Sequence, residues 1–285
     1  MYKNPTGIHI SSKISSDYNQ NIITETNSIW SPMDYSPLFV ADIPYSRNNG
    51  TIYTSSTKTT AAVSVSDSVG AITLRSPTVD LLQTPPTRLY TLDQMSDGQW
   101  AVSGDNVDDG LFSSAIAFPS VGKVIAFRVE YHTLPVGSEL DVLLQVGGSA
   151  SSVRLSLGGP SYAYPGLIFS GGNYGAGSAQ MRYVGFMPTV GVPFTVIIAY
   201  NGVQPNIRTN YRLWVDGVEI PNTSLIGGTS AGGIVSSTLL NYQSASNLPA
   251  GAKMSKAFVL SGDLGLVASG DQTLIDPMQA YLVAP

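Results

Sequence analysis

The chain has no cysteine and only two histidines among 285 residues. A disulfide framework and a thiolate metal site are therefore excluded. Charged residues are also scarce, at 12%, about half the roughly 25% usual in globular proteins. No run of lysine and arginine occurs and the net charge is −5, so the phosphate-neutralising patch that nucleic-acid binding needs is missing. Long apolar runs are lacking too. The segment from Val190 to Tyr200 is broken by Gly191, Pro193 and Thr195, far short of the roughly 18 apolar residues of a membrane helix. The opening Met1-Tyr2-Lys3-Asn4-Pro5 has neither the charged nor the apolar region of a signal peptide. Synthesis in the cytosol, with no membrane partner, is the expectation.

What is present is apolar and neutral-polar. Hydrophobic residues make up 43%, too many for a disordered chain. The surface must then be built from Ser, Thr, Asn, Gln and Gly, which shed water at less cost than charges do. Such a surface suits large contacts with other subunits, and equally a monomeric β protein with a neutral exterior.

Residues 8–31 and 50–67 are rich in hydroxyl and β-branched residues without helical periodicity, so extended chain is expected. The apolar residues of the first 70 or so positions, among them Ile8, Ile10, Trp30, Leu38, Phe39 and Val40, are too sparse for a core of their own. They must lie on the parent domain or on a neighbour. Pro77, Pro85 and Pro86 mark an entry loop. The expected organisation is an extended N-terminal arm over 1–85 and a β-sandwich over 86–285.

Beyond the prolines, short strand patterns recur between turn residues. Val124 to Tyr131 and Val153 to Leu157 alternate, whereas Leu140 to Val146 and Phe194 to Tyr200 are nearly all apolar, as strands buried on both faces are. Tyr211 to Ile220 carries Asp216-Gly217 between alternating residues, the signature of a type I′ hairpin. Ala257 to Leu260 and Ala280 to Val283 read as further strands. Leu274 to Ala280 has room for one helical turn, limited by Pro277. The fold class expected is all-β, an antiparallel β-sandwich of the jelly-roll kind.

From Val192 onward the order is a strand ending Tyr200-Asn201-Gly202, the Tyr211–Ile220 hairpin, a strand followed by Gly262 and Gly265, and a final strand. This order resembles the second half of laminin-G-like and concanavalin A-like jelly rolls. Such domains occur in bacteriophage tail, fibre and head-decoration proteins, and the cysteine-free, low-charge texture looks like a virion protein. The resemblance implies a structural particle component, a tail fibre or baseplate appendage, with a capsid decoration protein or a glycan-binding adhesin or lectin as alternatives. It also implies partners among other virion proteins and a homo-oligomer, a trimer first, with a host-surface glycan as a further partner.

Catalytic signatures are incomplete. Some concanavalin-like glycosidases carry Glu-x-Asp-x-Glu on a strand, so that three carboxylates share one face. Here Glu139 and Asp141 are followed by Leu143 or Leu144 where the acid/base would stand, so no enzyme is expected. His9 and His132 lie far apart, and neither G-x-S-x-G nor H-E-x-x-H occurs. Gly147-Gly148-Ser149, Gly158-Gly159-Pro160 and Gly171 to Gly177 lack the helix and lysine of a phosphate loop.

Two candidate sites remain. Tyr162, Tyr164, Tyr174 and Tyr183 crowd the Gly-rich loops, where their rings would stack on sugars or serve as packing and interface anchors. Asp105, Asp108 and Asp109 precede Gly110 and offer oxygen ligands for Ca²⁺, the one cofactor considered, or an Asx-rich turn.

Overall fold

The computed structural model describes residues 31–76, 78–83, 90–104, 111–113, 122–138, 140–146, 152–162, 165–172, 179–182, 186–201, 211–221, 224–226, 240–241 and 252–285. The described strands are β1 (Pro37–Asp42), β2 (Ile52–Tyr53), β3 (Ser68–Val69), β4 (Ala71–Thr73), β5 (Asp80–Gln83), β6 (Tyr90–Gln94), β7 (Trp100–Ser103), β8 (Leu111–Ser113), β9 (Lys123–Tyr131) and β10 (Leu140–Val146). They continue with β11 (Ser152–Gly158), β12 (Gly166–Gly172), β13 (Ala179–Arg182), β14 (Phe194–Tyr200), β15 (Tyr211–Val215), β16 (Val218–Glu219), β17 (Ser224–Ile226), β18 (Leu240–Asn241) and β19 (Ala252–Ser261). Among the described residues, a short 3-10 helix (Pro32–Asp34) and three α-helices join them: α1 (Ile43–Asn48), α2 (Leu266–Ser269) and α3 (Gln272–Val283).

All described pairings are antiparallel, and they form two sheets. One runs β16-β15-β14-β9-β19-β7-β6-β3, and the other β17-β13-β12-β11-β10-β18-β8-β5-β4-β2. The long strand β19 is the spine of the first sheet. β9 pairs along one side of it, from Ala252↔Tyr131 to Ser261↔Lys123. The other side is shared by β7 at Lys253 and Met254 and by β1 from Lys256 to Leu260. The architecture is the expected all-β sandwich.

Alternation along β9 sorts its side chains into two cores. Ile125, Phe127, Val129 and Tyr131 face the second sheet and pack in a cluster that includes Ile72, Leu81, Leu157 and Leu167. Val124 and Ala126 face outward, where they join Ile197, Ala199, Trp214 and Phe258 under α2 and α3. The first sheet is thus covered on both faces. That is why every residue of β14 and of β9 is buried.

The hairpin forms where Asp216-Gly217 predicts it, with φ of 49° and 77° at the two turn residues, the values a type I′ turn requires. The carboxylate of Asp216 also accepts from the Thr195 amide at 2.8 Å, tying the turn to the neighbouring strand.

Two stretches differ from expectation. Residues 37–83, placed by sequence in the arm, supply β1 to β5 and pair within both sheets. Their scattered apolar residues find cover in their own domain: Phe39, Ile52, Val69 and Ile72 all join the inner core. Residues 1–30, the outer part of the expected arm, lie outside the described residues. The second difference is Ala280 to Val283, which is helical and not a strand, so the described chain ends in α3. Ile275, Met278 and Leu282, at helical spacing, bury against the sheet, and Asp271 caps the helix by accepting from the Thr273 amide at 2.9 Å. Pro277 is tolerated inside α3 because the carbonyl it leaves unserved belongs to Thr273, which is exposed to water.

Two positions carry stored cost. Gly70 alone connects β3 in one sheet to β4 in the other, and a Cβ there would stand 2.5 Å from the Ser55 Cα and 2.7 Å from the Ser55 carbonyl carbon. Lys123 is fully buried in register opposite Tyr200, and burial pushes its ammonium down to about 8 while raising the Tyr200 phenol to about 12.

Gly70→Ala is expected to destabilise the fold by roughly 1–3 kcal/mol, because the obstructing atoms are backbone. Thermal melting of the full chain measures this, and an unchanged midpoint would contradict the crowding. Lys123→Met is expected to stabilise the fold most below pH 8, where the native state holds a buried charge that the unfolded chain solvates freely. That advantage shrinks as pH rises from about 8 toward the unfolded lysine value, since the unfolded state then binds more protons than the native one. Denaturant titrations of both proteins across that range give the slope.

Candidate functional site

Helix α1 is set by its ends. Asp42 closes β1 and caps the helix, its Oδ1 accepting from the Tyr45 amide at 3.0 Å, and Pro44 takes an early position where a proline's missing N–H costs nothing. Asn49 ends it, its Nδ2 donating to the Tyr45 carbonyl at 2.8 Å, and Gly50 follows at φ 65°. Ile43, Pro44 and Ser46 are buried, which leaves Tyr45 and Asn48 outside.

Two clefts, of about 300 and 320 Å³, flank this helix and share Pro44, Asn48 and Pro285. In the first, the 3% exposed Asp42 gathers partners from three further segments. Its Oδ2 accepts from Arg75 Nη1 at 3.0 Å and from the Tyr281 hydroxyl at 2.8 Å. Lys256, also 3% exposed, donates from Nζ to the carbonyls of Tyr281 at 3.1 Å and Ala284 at 2.6 Å. The Arg75 guanidinium lies over the Tyr45 ring, 4.4 Å from its centroid, a cation–π contact that fixes both.

The electrostatics follow from burial. Desolvation pulls the Lys256 ammonium down, and the Asp42 carboxylate opposes this, while Arg128 and Arg75 add to it. Burial and then the Asp42 charge push the Tyr281 phenol far up, so Tyr281 stays protonated and serves as a hydrogen-bond donor.

The second cleft is lined by Asp97, Gln99 and Trp100. Arg128 spans it from below, donating to Gln99 Oε1 at 2.9 Å and pairing with Asp97. Gln99 Nε2 in turn donates to the Leu282 carbonyl at 3.3 Å and to that of Ala284. Arg47 covers one side of Trp100, 4.2 Å from the ring centroid.

Of the residues singled out from sequence, Tyr162 is described. It is half-buried, in a turn after β11 where its amide donates to the Gly159 carbonyl at 3.0 Å, and it does not line either cleft. Tyr164, Tyr174, Tyr183, Asp105, Asp108 and Asp109 lie outside the described residues. Among the described residues, no three His, Cys, Asp or Glu side chains group as metal ligands. His132 stands 3.7 Å from the carboxylate of Glu130, which also accepts from the Ser96 amide at 2.6 Å.

No protein family and no curated protein matches the sequence. Solved structures show partial likenesses. A botulinum neurotoxin type C structure, described in terms of cell entry through two ganglioside molecules, shares 10% identity at a TM-score of 0.49, over 76% of this chain and 51% of that one. The binding domain of botulinum neurotoxin DC in complex with rat synaptotagmin II shares 13% at 0.45, over 68% and 45%. A Trypanosoma rangeli sialidase bound to a difluorosialic acid shares 11% at 0.43, over 84% and 37%. The chain spans about half or less of each. Likenesses this distant carry no argument about what the chain binds.

Asp42→Ala is expected to cost roughly 2–3 kcal/mol, less than a fully buried pair because Arg75 is itself part-exposed. Equilibrium unfolding of the full chain measures it. A loss below about 0.5 kcal/mol would show that the cluster is no more than a surface ion pair.

Proposed function

We propose that the chain is a non-catalytic β-sandwich recognition module that binds a saccharide in the groove around α1. The observation that carries this reading is Tyr45, 41% exposed yet held in place by Arg75, lining the first of two small clefts that are joined through Pro44 and Asn48 on the same helix. A sugar offers apolar C–H faces and hydroxyls in alternation. It is recognised by an aromatic platform with a few well-placed donors and acceptors. Asn48 supplies an exposed amide to both clefts, and Asp97 and Arg75 flank it. Because these side chains are already ordered by the network below them, little conformational freedom is lost on binding.

The titratable groups of the groove are spent on structure. Both Asp42 oxygens are committed to hydrogen bonds, and the Tyr281 phenol is held in its protonated form, unsuited to act as base or nucleophile. The wider setting, a phage particle on which residues 1–30 dock and copies of the chain form a trimer, is a proposal that rests on sequence texture. A saccharide-binding module is compatible with it, since a fibre or decoration protein would display such a site outward.

The full chain is expected to bind a subset of a glycan array. Tyr45→Ala is expected to weaken that binding roughly threefold to tenfold, the worth of one aromatic contact, with an unchanged melting midpoint. Calorimetry of both proteins with the best glycan checks it. A chain that binds no glycan, or a variant that keeps full affinity, contradicts the reading.

A further inference from the structure

The first cleft is lined by two cations, Arg75 and Lys256, and one carboxylate, Asp42, in a chain whose net charge is −5. Asp97 lines the second cleft. Arg47, over Trp100, and Arg128, paired with Asp97, are the other cations near α1.

The four cations are not equally available. Arg128 is 6% exposed and spent on Asp97, Gln99 and the Val283 carbonyl. Lys256 gives two donors to helix-end carbonyls. Arg47 donates to the Val63 carbonyl and to Asn48, and covers Trp100. Arg75 is different. A guanidinium has five N–H donors in a planar fork. One goes to Asp42 at 3.0 Å, and an edge faces the Tyr281 hydroxyl, yet the side chain remains 31% exposed in the first cleft. Asp42 below and Tyr45 beside it hold the fork in one orientation. A ready-oriented guanidinium edge matches a carboxylate or sulfate by paired hydrogen bonds.

We infer that the ligand of this groove is an acidic saccharide, with its carboxylate or sulfate on the exposed edge of Arg75 and an uncharged sugar unit reaching across Asn48 into the Asp97–Trp100 cleft. The inference rests on the saccharide reading and names the ligand's chemical class. Asn48 and Pro44 belong to both clefts, so one molecule of two or more sugar units can occupy them together.

The test uses the full chain on an array that pairs sialylated, sulfated and uronic-acid glycans with their uncharged cores. The expected result is binding to acidic members at least tenfold stronger than to the matched cores, the worth of one charge-assisted hydrogen bond. Arg75→Gln should erase the preference for acidic members over their matched cores, whatever it does to the affinity for the cores themselves, and Arg75→Lys should restore part of that preference with weaker geometry. Melting midpoints identify a variant that has lost its fold, and the wild-type preference decides the matter without either variant. Equal binding to acidic and uncharged glycans overturns this inference and leaves saccharide recognition standing. Binding to none overturns both. An acidic preference that survives Arg75→Gln in a folded variant overturns the placement of the anion on Arg75.

Discussion

The buried carboxylate of Asp42 is the constraint on which the rest depends. Its cost of desolvation is offset only while three partners stay in place: the Tyr45 amide, the Arg75 guanidinium and the Tyr281 hydroxyl. Those partners lie in α1, in the segment after β4 and in α3, segments remote in sequence. One side chain thereby fixes the end of β1, the start of α1 and the seat of the last helix. The groove is the outer surface of that same junction, so its shape is inherited from a structural necessity.

A second layer of polar contacts supports the first. The last turn of α3 presents carbonyls with no partner inside the helix, and that end of the helix attracts positive charge. Lys256 from β19, Arg128 from β9 and Gln99 beside β7 meet those carbonyls. Three neighbouring strands of one sheet thus hold the helix that covers them. The arrangement explains why cations stand at outward positions in strands otherwise buried on both faces. They face the helix end rather than solvent.

Much of the sandwich was legible in the chain. Asp216-Gly217 fixes a turn by backbone preference alone, and the apolar run of β14 announces a strand covered on both faces. The end of the chain was less legible, because Ala280 to Val283 is short and apolar and fits either period. Only the stripe Ile275, Met278 and Leu282, read across Pro277, reveals a helix. Residues 37–83 looked like an arm because each of their strands is brief and buries a few residues, and their partners lie far along the chain. The groove left almost no local trace, since Asp42, Arg75, Lys256 and Tyr281 come together only through long-range pairing. Two signals did exist. Asp42-Ile43-Pro44 has the form of a helix start, and Lys253 and Lys256 interrupt a strand that should have no charges unless something answers them.

The central claim, that Asp42 couples β1, α1 and α3 into one unit, is tested most directly by native-state hydrogen exchange on the full chain and on Asp42→Ala. Amides of Pro37–Asp42 and of Gln272–Val283 should lose protection together in the variant, while Gly166–Gly172 in the second sheet keeps its own. Loss confined to β1, with α3 still protected as in the parent chain, would contradict the coupling.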